Sequence, residues 1–461
     1  MPLLEDIPRP ENGFYVLITG ANSGLGLGIG CRLIDEFLQT RPQSQSLVLI
    51  ITTRSKRKGD DTVAQLRRHL QQTCRKLEGN MPGIRMLLER RVYFRQEILD
   101  LTSIISLQTL GKRMRETTPK LDVVICNAGI GGWEGLHWGK AVWTVLTDWK
   151  NAVTWPTFKK SGVGWVTKPQ IPPQMPTDGN GERKIKEPPL GEVFCANFFG
   201  HYLLGHYLAS LLAKHDDGEQ TRGRLVWVSS LEGYTHSLDL EDIQSLESRH
   251  PYESSKRLTD VMGITSTLPS TAPTVSAYLR APLPPLPSPS PFTATTTPPR
   301  IYVAHPGICG TSIMPLFILL DYCMFATFYI ARWLGSQWHP VTAYKGACAM
   351  VWLALVKQST LDTMEAREGV GKWGSATDWW GQERVERTEI EGWGWGGTVE
   401  GVEKGGKSRR RKGRSPYARD LTKEDREVFE ETGRNCWREM ERLREEWEKR
   451  LDDAGMGIPL E

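Results

Sequence analysis

The sequence predicts an α/β fold, a doubly wound parallel sheet of the Rossmann type with insertions and a helical C-terminal extension. An apolar run at 15–18 leads into a glycine-rich turn, and a helical pattern at 24–38 is followed by a second apolar run at 47–53. Further strand-like runs lie at 92–94, 121–126, 224–228 and 300–304. Strands that alternate with helices are typical of βαβ units, which build parallel sheets.

Composition narrows the class of protein. The chain has 461 residues, with 58 basic and 54 acidic side chains and a formal net charge of +4. This length is compatible with one large α/β domain or with two or three average domains. So small a net charge predicts no nucleic-acid partner. The eight cysteines are scattered without a Cys-x-x-Cys pair, which indicates reduced thiols in a cytosol-facing protein and predicts no metal site.

The glycine-rich turn after the first strand is a candidate phosphate-binding element. Glycines at such a turn let backbone N–H groups approach a pyrophosphate at the N-terminus of the following helix. The residues that we expect to contact a dinucleotide here are Thr19, Gly20, Asn22, Ser23, Gly24, Leu25 and Gly26. Taken alone, the turn also fits an ordinary left-handed loop.

The end of the second strand indicates which dinucleotide is bound. NAD enzymes of this fold usually carry an acidic residue there for the ribose 2′-hydroxyl, whereas a 2′-phosphate needs a cation. Here the strand ends at Thr53, and Arg54 opens a basic run that reaches Lys58. We therefore predict NADP(H) as the cofactor, with Thr53 and Arg54 in contact with it.

Tyr252 is the predicted proton donor for reduction of a ketone. A free tyrosine titrates at about pH 10, and an ammonium group one helical turn away favours its phenolate form. Lys256 lies four positions further along the chain and hence on the same helix face. We expect Lys256 to lower the pKa of Tyr252, although two unrelated surface side chains would show the same spacing.

Two more polar residues complete the predicted catalytic group. Ser230 follows the strand-like run at 224–228, so its hydroxyl would lie at the carboxyl end of the sheet, where open α/β folds bind ligands. Its neighbour Ser229 is the alternative, and only one of the two should face the substrate. Asn197 would bond a backbone carbonyl or a water that relays protons to Lys256, whereas a helical asparagine is usually just solvated.

These residues together resemble the short-chain dehydrogenase/reductase superfamily. The matching elements are 19–26, Asp100, 127–129, Asn197, Ser230, Tyr252, Lys256 and 306–311. The resemblance implies that Asn197, Ser230, Tyr252 and Lys256 form a catalytic tetrad. It also implies cofactor contacts from Asp100 at the adenine, from Pro306, Gly307 and Thr311 at the nicotinamide, and from Asn127, Ala128, Gly129, Tyr252 and Lys256.

Longer matches resemble one family within that superfamily, the fungal 3-keto-steroid reductases of sterol C-4 demethylation. They lie at 192–197, 252–260, 305–307, 372–378 and 392–396. The resemblance implies NADPH-dependent reduction of a 3-keto-sterol to its 3β-alcohol in ergosterol biosynthesis. It further implies a place on the cytosolic face of the endoplasmic reticulum membrane or on lipid droplets, beside other enzymes of the pathway. The alternatives are a broad carbonyl or retinol-type reductase and a non-catalytic scaffold in a sterol-enzyme complex.

Composition divides the chain at about residue 371. Residues 1–371 should form the cofactor-binding domain, with insertions at about 133–190 and 266–299. The second insertion is rich in Pro, Ser and Thr, which predicts a disordered surface segment, or alternatively a ligand for a proline-recognition domain. Residues 372–461 should form a Trp/Gly-rich, basic linker and then a C-terminal amphipathic helix that docks on the core.

Two segments are candidates for contact with a membrane or with another partner. The run at 316–334 approaches the length of a membrane span, but Asp321 within it makes a span costly. We expect a segment that dips into one leaflet or forms the wall of a pocket for an apolar substrate. The basic run at 404–414 reads as a solvated linker, with contact to anionic lipid and a nuclear address as alternatives.

Overall fold

The predicted doubly wound sheet is confirmed in a computed structural model of the chain. The structure describes residues 10, 12–79, 83–171, 187–213, 222–280, 297–310, 318–399, 412–416 and 418–458. Eight strands form the central sheet in the order β10-β9-β8-β7-β4-β1-β2-β3, and β5 pairs with β6 in a separate hairpin. The strands are β1 Gly13–Thr19, β2 Ser46–Thr53, β3 Val92–Ile98, β4 Val123–Cys126, β5 Trp133–Leu136, β6 Lys159–Ser161, β7 Arg224–Val228, β8 Arg300–His305, β9 Lys372–Thr377 and β10 Glu383–Thr388.

Helices cover both faces of this sheet. They are α1 Gly24–Thr40, α2 Lys56–Glu78, α3 Ile84–Glu89, α4 Ile104–Thr117, α5 Trp138–Thr147, α6 Trp149–Thr154, α7 Glu192–Phe194, α8 Gly200–Tyr207, α9 Ala209–Leu212, α10 Pro251–Thr265, α11 Ala272–Leu279, α12 Ile318–Trp333, α13 Ala343–Gly346, α14 Cys348–Leu355, α15 Gln358–Glu368 and α16 Lys423–Asp453. One hydrophobic core joins the sheet to α4, α8, α10 and α16. A second core, on the opposite face, joins it to α1, α2 and α14.

The strand order places a ligand crevice at β1 and β4. The chain runs from β1 outward through β2 to β3 and then returns to β4 on the other side of β1. All central pairs are parallel, and only β10 runs antiparallel to its neighbour β9. Helices that leave neighbouring strands on opposite faces open a crevice at their carboxyl ends, which is where ligands bind in such sheets.

Part of the expected disordered insertion is ordered, so that prediction is wrong for residues 266–280. Helix α11 lies within this stretch, and its Val275 and Tyr278 side chains are buried. Tyr278 stacks on Tyr202 with ring centroids 4.3 Å apart. The apolar spacing of these two residues supplies enough buried area to hold a short helix against the core. The proline-rich part at 281–296 lies outside the described residues.

The expected linker after residue 371 begins instead with two strands of the central sheet. Strand β9 pairs with β8 in parallel, and β10 then returns beside β9. All six residues of β9 are buried. The tryptophan, serine and threonine side chains of β9 fit a buried strand, which the glycine content of the region concealed.

The C-terminal helix docks on the core as predicted. Helix α16 begins at a capping box formed by Thr422 and Asp425, which satisfies free N–H groups of its first turn. Its buried apolar residues are Phe429, Trp437, Met440, Leu443, Trp447 and Leu451. The Trp437 ring nitrogen donates to the carbonyl of Met262 in α10 over 3.2 Å, so α16 supports the helix that carries Tyr252.

The basic run and the apolar run are described only in part. At the end of the basic run, Arg414 pairs with Glu389 and Asp420, and residues 404–411 lie outside the described residues. Helix α12 covers most of the apolar run. In the described part of the chain, no helix combines the length and the apolar character needed to cross a bilayer.

Candidate active site

A cavity of about 1020 Å³ lies at the carboxyl ends of the central strands. Its floor is made by the glycine-rich turn after β1, the residues after β2 and β4, and the Ser229–Ser230 turn after β7. Tyr252 and Lys256 of α10 and the Pro306–Gly307 turn after β8 reach it from one side. Of the predicted site residues in the described part of the chain, all but Thr19 and Asn197 line this one cavity.

The glycine-rich turn has a shape that only glycine permits at two positions. Gly20 has φ +64° and Gly24 has φ +51°, values in the left-handed region. A Cβ atom on Gly20 would lie 2.8 Å from Cβ of Ala128, and one on Gly26 would lie 2.2 Å from the carbonyl oxygen of Gly20. The turn therefore forms a bare backbone cradle before α1, a geometry that fits a pyrophosphate. Asn22, Ser23 and Leu25 also line the cavity.

Thr19 ties this cradle to the next strand and to α8. Its hydroxyl accepts from the N–H groups of Asn127 (2.8 Å) and Ala128 (3.0 Å) and lies 2.9 Å from Nε2 of His201. Nδ1 of His201 lies 3.2 Å from the carbonyl oxygen of Asn197. Burial lowers the pKa of His201 to about 3, so the neutral ring accepts from Thr19 and donates to Asn197.

The residues predicted to select the cofactor lie at or just after the end of β2. Thr53, Arg54 and Lys58 all line the cavity, and Arg54 and Lys58 are exposed. Asp100 also lines it, with one carboxylate oxygen accepting from the N–H (3.0 Å) and the hydroxyl (2.8 Å) of Thr102. The sequence analysis names Lys58 as part of the basic run but assigns it no contact with the cofactor. The structure adds that Lys58 lines the cavity.

Ser230 and Ser229 point in different directions. The Ser230 side chain lies close enough to the Tyr252 hydroxyl to lower the pKa of that tyrosine. Ser229 is buried, and its hydroxyl donates instead to Asp260 over 2.6 Å. The geometry favours Ser230 as the serine that meets a substrate at Tyr252.

The pKa of Tyr252 does not fall, as the spacing to Lys256 predicts, but rises. Burial raises the pKa of Tyr252, and the Glu232 carboxylate raises it further, while the Ser230 hydroxyl lowers it. Nζ of Lys256 lies 5.5 Å from the centre of the Tyr252 ring and donates to the carbonyl of Val228 over 2.8 Å. The cost of a buried phenolate outweighs the attraction of an ammonium at this distance.

Asn197 is held by a backbone carbonyl, the first of the two partners expected for it. It lies in a π-helical segment, Cys195–Phe199, a geometry that is frequent at functional sites. Its side-chain oxygen accepts from the N–H of Ile130 (2.7 Å), and its nitrogen donates to the carbonyl of Ile130 (3.0 Å) and to Ser255 (3.1 Å). Asn197 thereby fixes the loop after Gly129.

The turn at 306–307 is supported by a buried histidine. Nδ1 of His305 accepts from the N–H of Gly307 over 3.0 Å, so Nε2 carries the proton and donates to Thr388 of β10 over 2.6 Å. Gly307 has φ +67°, which favours glycine at this turn. Thr311, the last residue predicted to contact the nicotinamide, lies outside the described residues.

The inserted segment contributes residues that the sequence analysis did not assign to the site. Trp133 of β5 packs on Tyr252 with ring centroids 4.9 Å apart, and Nζ of Lys159 lies 4.1 Å from the Trp133 ring. Lys159 also forms an ion pair with the buried Glu232. The tryptophan-rich character of this segment is evident in the sequence, but no local pattern predicts that one of its tryptophans contacts Tyr252.

Part of the cavity wall is apolar. This apolar wall is formed by β5, α5, α6, the segment after α6 and α12. The apolar residues that line it are Leu136, Trp138, Ala141, Val142, Val145, Leu146, Trp149, Val153, Phe158, Met324 and Phe328. The ring nitrogen of Trp149 donates to the carbonyl of Thr327 over 3.3 Å and so joins α6 to α12.

The chain is similar to curated reductases along nearly its whole length. No protein-family model matches it. It is 46% identical to the 3-keto-steroid reductase of Aspergillus fumigatus over 447 residues, which cover 95% of both chains. It is 38% identical to the 3-keto-steroid reductase of Gibberella zeae, with 97% of this chain and 96% of the relative covered. With the 3-keto-steroid reductase of Schizosaccharomyces pombe the identity is 33%, over 82% of this chain and 90% of the relative.

Solved structures are more distant. A short-chain dehydrogenase/reductase from Mycobacterium ulcerans matches 75% of this chain and 84% of its own, with 14% identity and a TM-score of 0.37. An alcohol dehydrogenase from Thermococcus sibiricus, complexed with 5-hydroxy-NADP, matches 64% of this chain and 75% of its own, with 14% identity and a TM-score of 0.32.

Proposed function

This chain belongs to the family of 3-keto-steroid reductases, and we propose that it reduces a 3-keto-sterol to the 3β-hydroxysterol with NADPH. It is an oxidoreductase that acts on a ketone, and we place its reaction in the C-4 demethylation of ergosterol biosynthesis. One observation carries the proposal: Ser230 and Tyr252 share one cavity with the glycine-rich turn and with an apolar wall.

The cradle and the cations of the cavity fit a phosphorylated dinucleotide. The bare backbone at Gly20, Gly24 and Gly26 would hold the pyrophosphate, and Arg54 with Lys58 would hold a 2′-phosphate. Asp100 would lie at the adenine and the Pro306–Gly307 turn at the nicotinamide. When bound, NADPH supplies the hydride.

The chain's own residues then handle the proton. The Ser230 hydroxyl donates to the ketone oxygen and polarises it, and the Tyr252 hydroxyl gives its proton to the alkoxide that emerges. The ammonium of Lys256 favours the phenolate that remains on Tyr252. Asn197 holds the loop at Ile130 and, through its carbonyl, the His201 ring that bonds Thr19.

The apolar wall supports a large hydrophobic ketone as the substrate. Three helices, α5, α6 and α12, contribute apolar side chains to this wall. A sterol presents only its ketone as a polar group at the reacting ring, and that oxygen would meet Ser230 and Tyr252. The rest of the ring system would exclude water from the wall, which is the main source of affinity for such ligands.

Substrate comparison tests this function. Purified protein would be incubated with NADPH and a 3-keto-sterol, with retinal and with simple ketones, while NADPH absorbance is followed and the alcohol identified. We expect kcat/KM to be highest for the sterol and the product to be the 3β-alcohol. Equal activity on retinal and simple ketones would instead favour a broad carbonyl reductase, and no turnover on any ketone would favour a scaffold.

We further propose that the protein attaches peripherally to the cytosolic face of the endoplasmic reticulum membrane or to lipid droplets, where other enzymes of the pathway would be its partners. Large apolar side chains are exposed on α5 and α12 beside the wall of the cavity. Among them are Trp143 (69% exposed) and Leu146 (74%) on α5, and Tyr322 (71%) and Trp333 (50%) on α12. Exposed aromatic and aliphatic groups on adjacent helices suit insertion into one leaflet.

Charged substitutions on these helices should release the protein from lipid. We expect Trp143→Asp and Trp333→Asp each to weaken binding to phospholipid vesicles by roughly tenfold, since each removes one buried apolar side chain from the lipid contact. The KM for a sterol ketone embedded in vesicles should rise, and reduction of a water-soluble ketone should stay unchanged. Trp380→Asp is the matched control, because Trp380 is 82% exposed but lies at the β9–β10 turn. Unchanged vesicle binding in both variants would contradict the attachment.

A further inference from the structure

A buried pair of opposite charges lies directly behind the active site. Nζ of Lys372, at the start of β9, lies 2.6 Å from a carboxylate oxygen of Asp260 in α10. The side chains of Lys372 and Asp260 are only 3% and 2% exposed. Neither residue lines the cavity, and neither was assigned a role in the proposed reaction.

Both charges bond the turn that carries the catalytic serine. Lys372 also donates to the backbone carbonyl of Ser230 over 2.5 Å, while the other carboxylate oxygen of Asp260 accepts from the Ser229 hydroxyl over 2.6 Å. The turn is therefore bonded by one residue from β9 and by one from α10. A hydrogen-bonded turn of this kind loses its geometry when either partner is removed.

The same pair flanks Lys256. Asp260 lies one helical turn beyond Lys256 in α10, and Lys372 reaches Asp260 from β9. Burial lowers the pKa of Lys256 to about 8; the Asp260 carboxylate acts to raise it and the Lys372 ammonium to lower it. Two further titratable groups face Lys256, namely Tyr252 on its own helix and the neutral His201 of α8.

We propose that Lys372 and Asp260 are positioning residues of the active site, whose ion pair fixes the Ser229–Ser230 turn and balances the charge beside Lys256. The inference rests on the proposed function, in which Ser230 polarises the ketone and Lys256 acts as an ammonium. Neither side chain touches substrate or cofactor in this role. Its distinctive feature is that the two partners act on Lys256 with opposite sign.

Removal of Lys372 and removal of Asp260 should therefore shift the pH at which activity falls in opposite directions. Activity that needs charged Lys256 is present below the pKa of this lysine and falls as pH rises through it. Lys372→Met removes a like charge, so the fall should move to higher pH by roughly one unit. Asp260→Asn removes the opposite charge, so the fall should move to lower pH by a similar amount.

The experiment measures kcat/KM for a ketone against pH in the full-length wild type and these two variants. NADPH affinity is measured over the same pH range from the quenching of tryptophan fluorescence, because a cation in the cavity also strengthens binding of an anionic dinucleotide.

Both variants should lower the melting temperature by about 5–10 °C, since each leaves a buried charge unpaired. The double variant Lys372→Met/Asp260→Leu removes both charges and should return the pH limit close to that of the wild type, at reduced kcat.

A matched control separates positioning from stability. Arg300 and Glu365 form another ion pair on the same sheet, but Arg300 begins β8 at the end remote from the cavity. Arg300→Met should lower the melting temperature without moving either pH profile. Shifts of equal sign in Lys372→Met and Asp260→Asn, or no shift in either, would overturn the inference. The pH profile of NADPH affinity could shift in opposite directions in the two variants while no ketone is reduced. That outcome would support the positioning role of Lys372 and Asp260 and would reject only the proposed function.

Discussion

Tyr252→Phe should lower kcat/KM for ketone reduction by about 10²–10⁴-fold, the usual contribution of a general acid. The substitution removes the hydroxyl that faces Ser230 and leaves the ring that packs on Trp133 at 4.9 Å. Because little binding surface changes, NADPH affinity should stay within a few-fold of the wild type. Steady-state kinetics and a fluorescence titration with NADPH measure the two quantities.

A second tyrosine provides the control for this variant. Tyr302 of β8 is buried and its hydroxyl accepts from Gln358 over 2.8 Å, but it does not line the cavity. Tyr302→Phe removes an equivalent buried hydrogen bond, which is worth about 1 kcal/mol of stability, and should leave turnover unchanged. Near-wild-type turnover in Tyr252→Phe would show that another group supplies the proton.

Arg54→Asp should reverse the preference between the two dinucleotides. It removes a cation that would bond the 2′-phosphate, an interaction worth about 1.5–3 kcal/mol, and adds a carboxylate that repels the phosphate and accepts from a ribose hydroxyl. We expect NADPH to bind about 10- to 100-fold more weakly and NADH to bind more tightly. The Michaelis constants for both cofactors, measured with one ketone, give the result.

Arg57→Asp is the matched control for the cofactor prediction. Arg57 lies in the first turn of α2 and carries the same charge as Arg54, but only Arg54 lines the cavity. Its substitution changes the net charge of the protein equally without touching the cofactor site. Equal effects of the two substitutions would mean that long-range charge acts on binding, and Michaelis constants unchanged in Arg54→Asp would contradict its contact with the 2′-phosphate.

Features encoded within a few adjacent residues were predictable from the sequence. The cradle at Gly20 and Gly24 follows from the left-handed backbone that a tight strand-to-helix turn requires. Arg54 lies at the cavity because the end of β2 places the next residue there. The amphipathic spacing of α16 identified a docked helix, since apolar side chains on one face bury area only against a core.

Features that depend on neighbours distant in the chain were not predictable. The glycine-rich stretch near residue 372 looked like a linker because its strand is stabilised by pairing with β8, which no local pattern reveals. The pKa of Tyr252 was expected to fall, but burial decides it, and burial depends on Trp133 and the inserted hairpin.

The sequence by itself determined the parallel fold, the glycine-rich turn, the basic residue after β2 and the Tyr252–Lys256 spacing, because each is set by backbone geometry or by residues a turn apart. Only the tertiary structure decided that Ser230 rather than Ser229 meets Tyr252, and that Lys372 and Asp260 lie behind them. It also decided that α5, α6 and α12 enclose one apolar wall. These outcomes depend on long-range packing. Buried charges and apolar faces contact residues that are far away in the sequence, and no local pattern predicts those contacts.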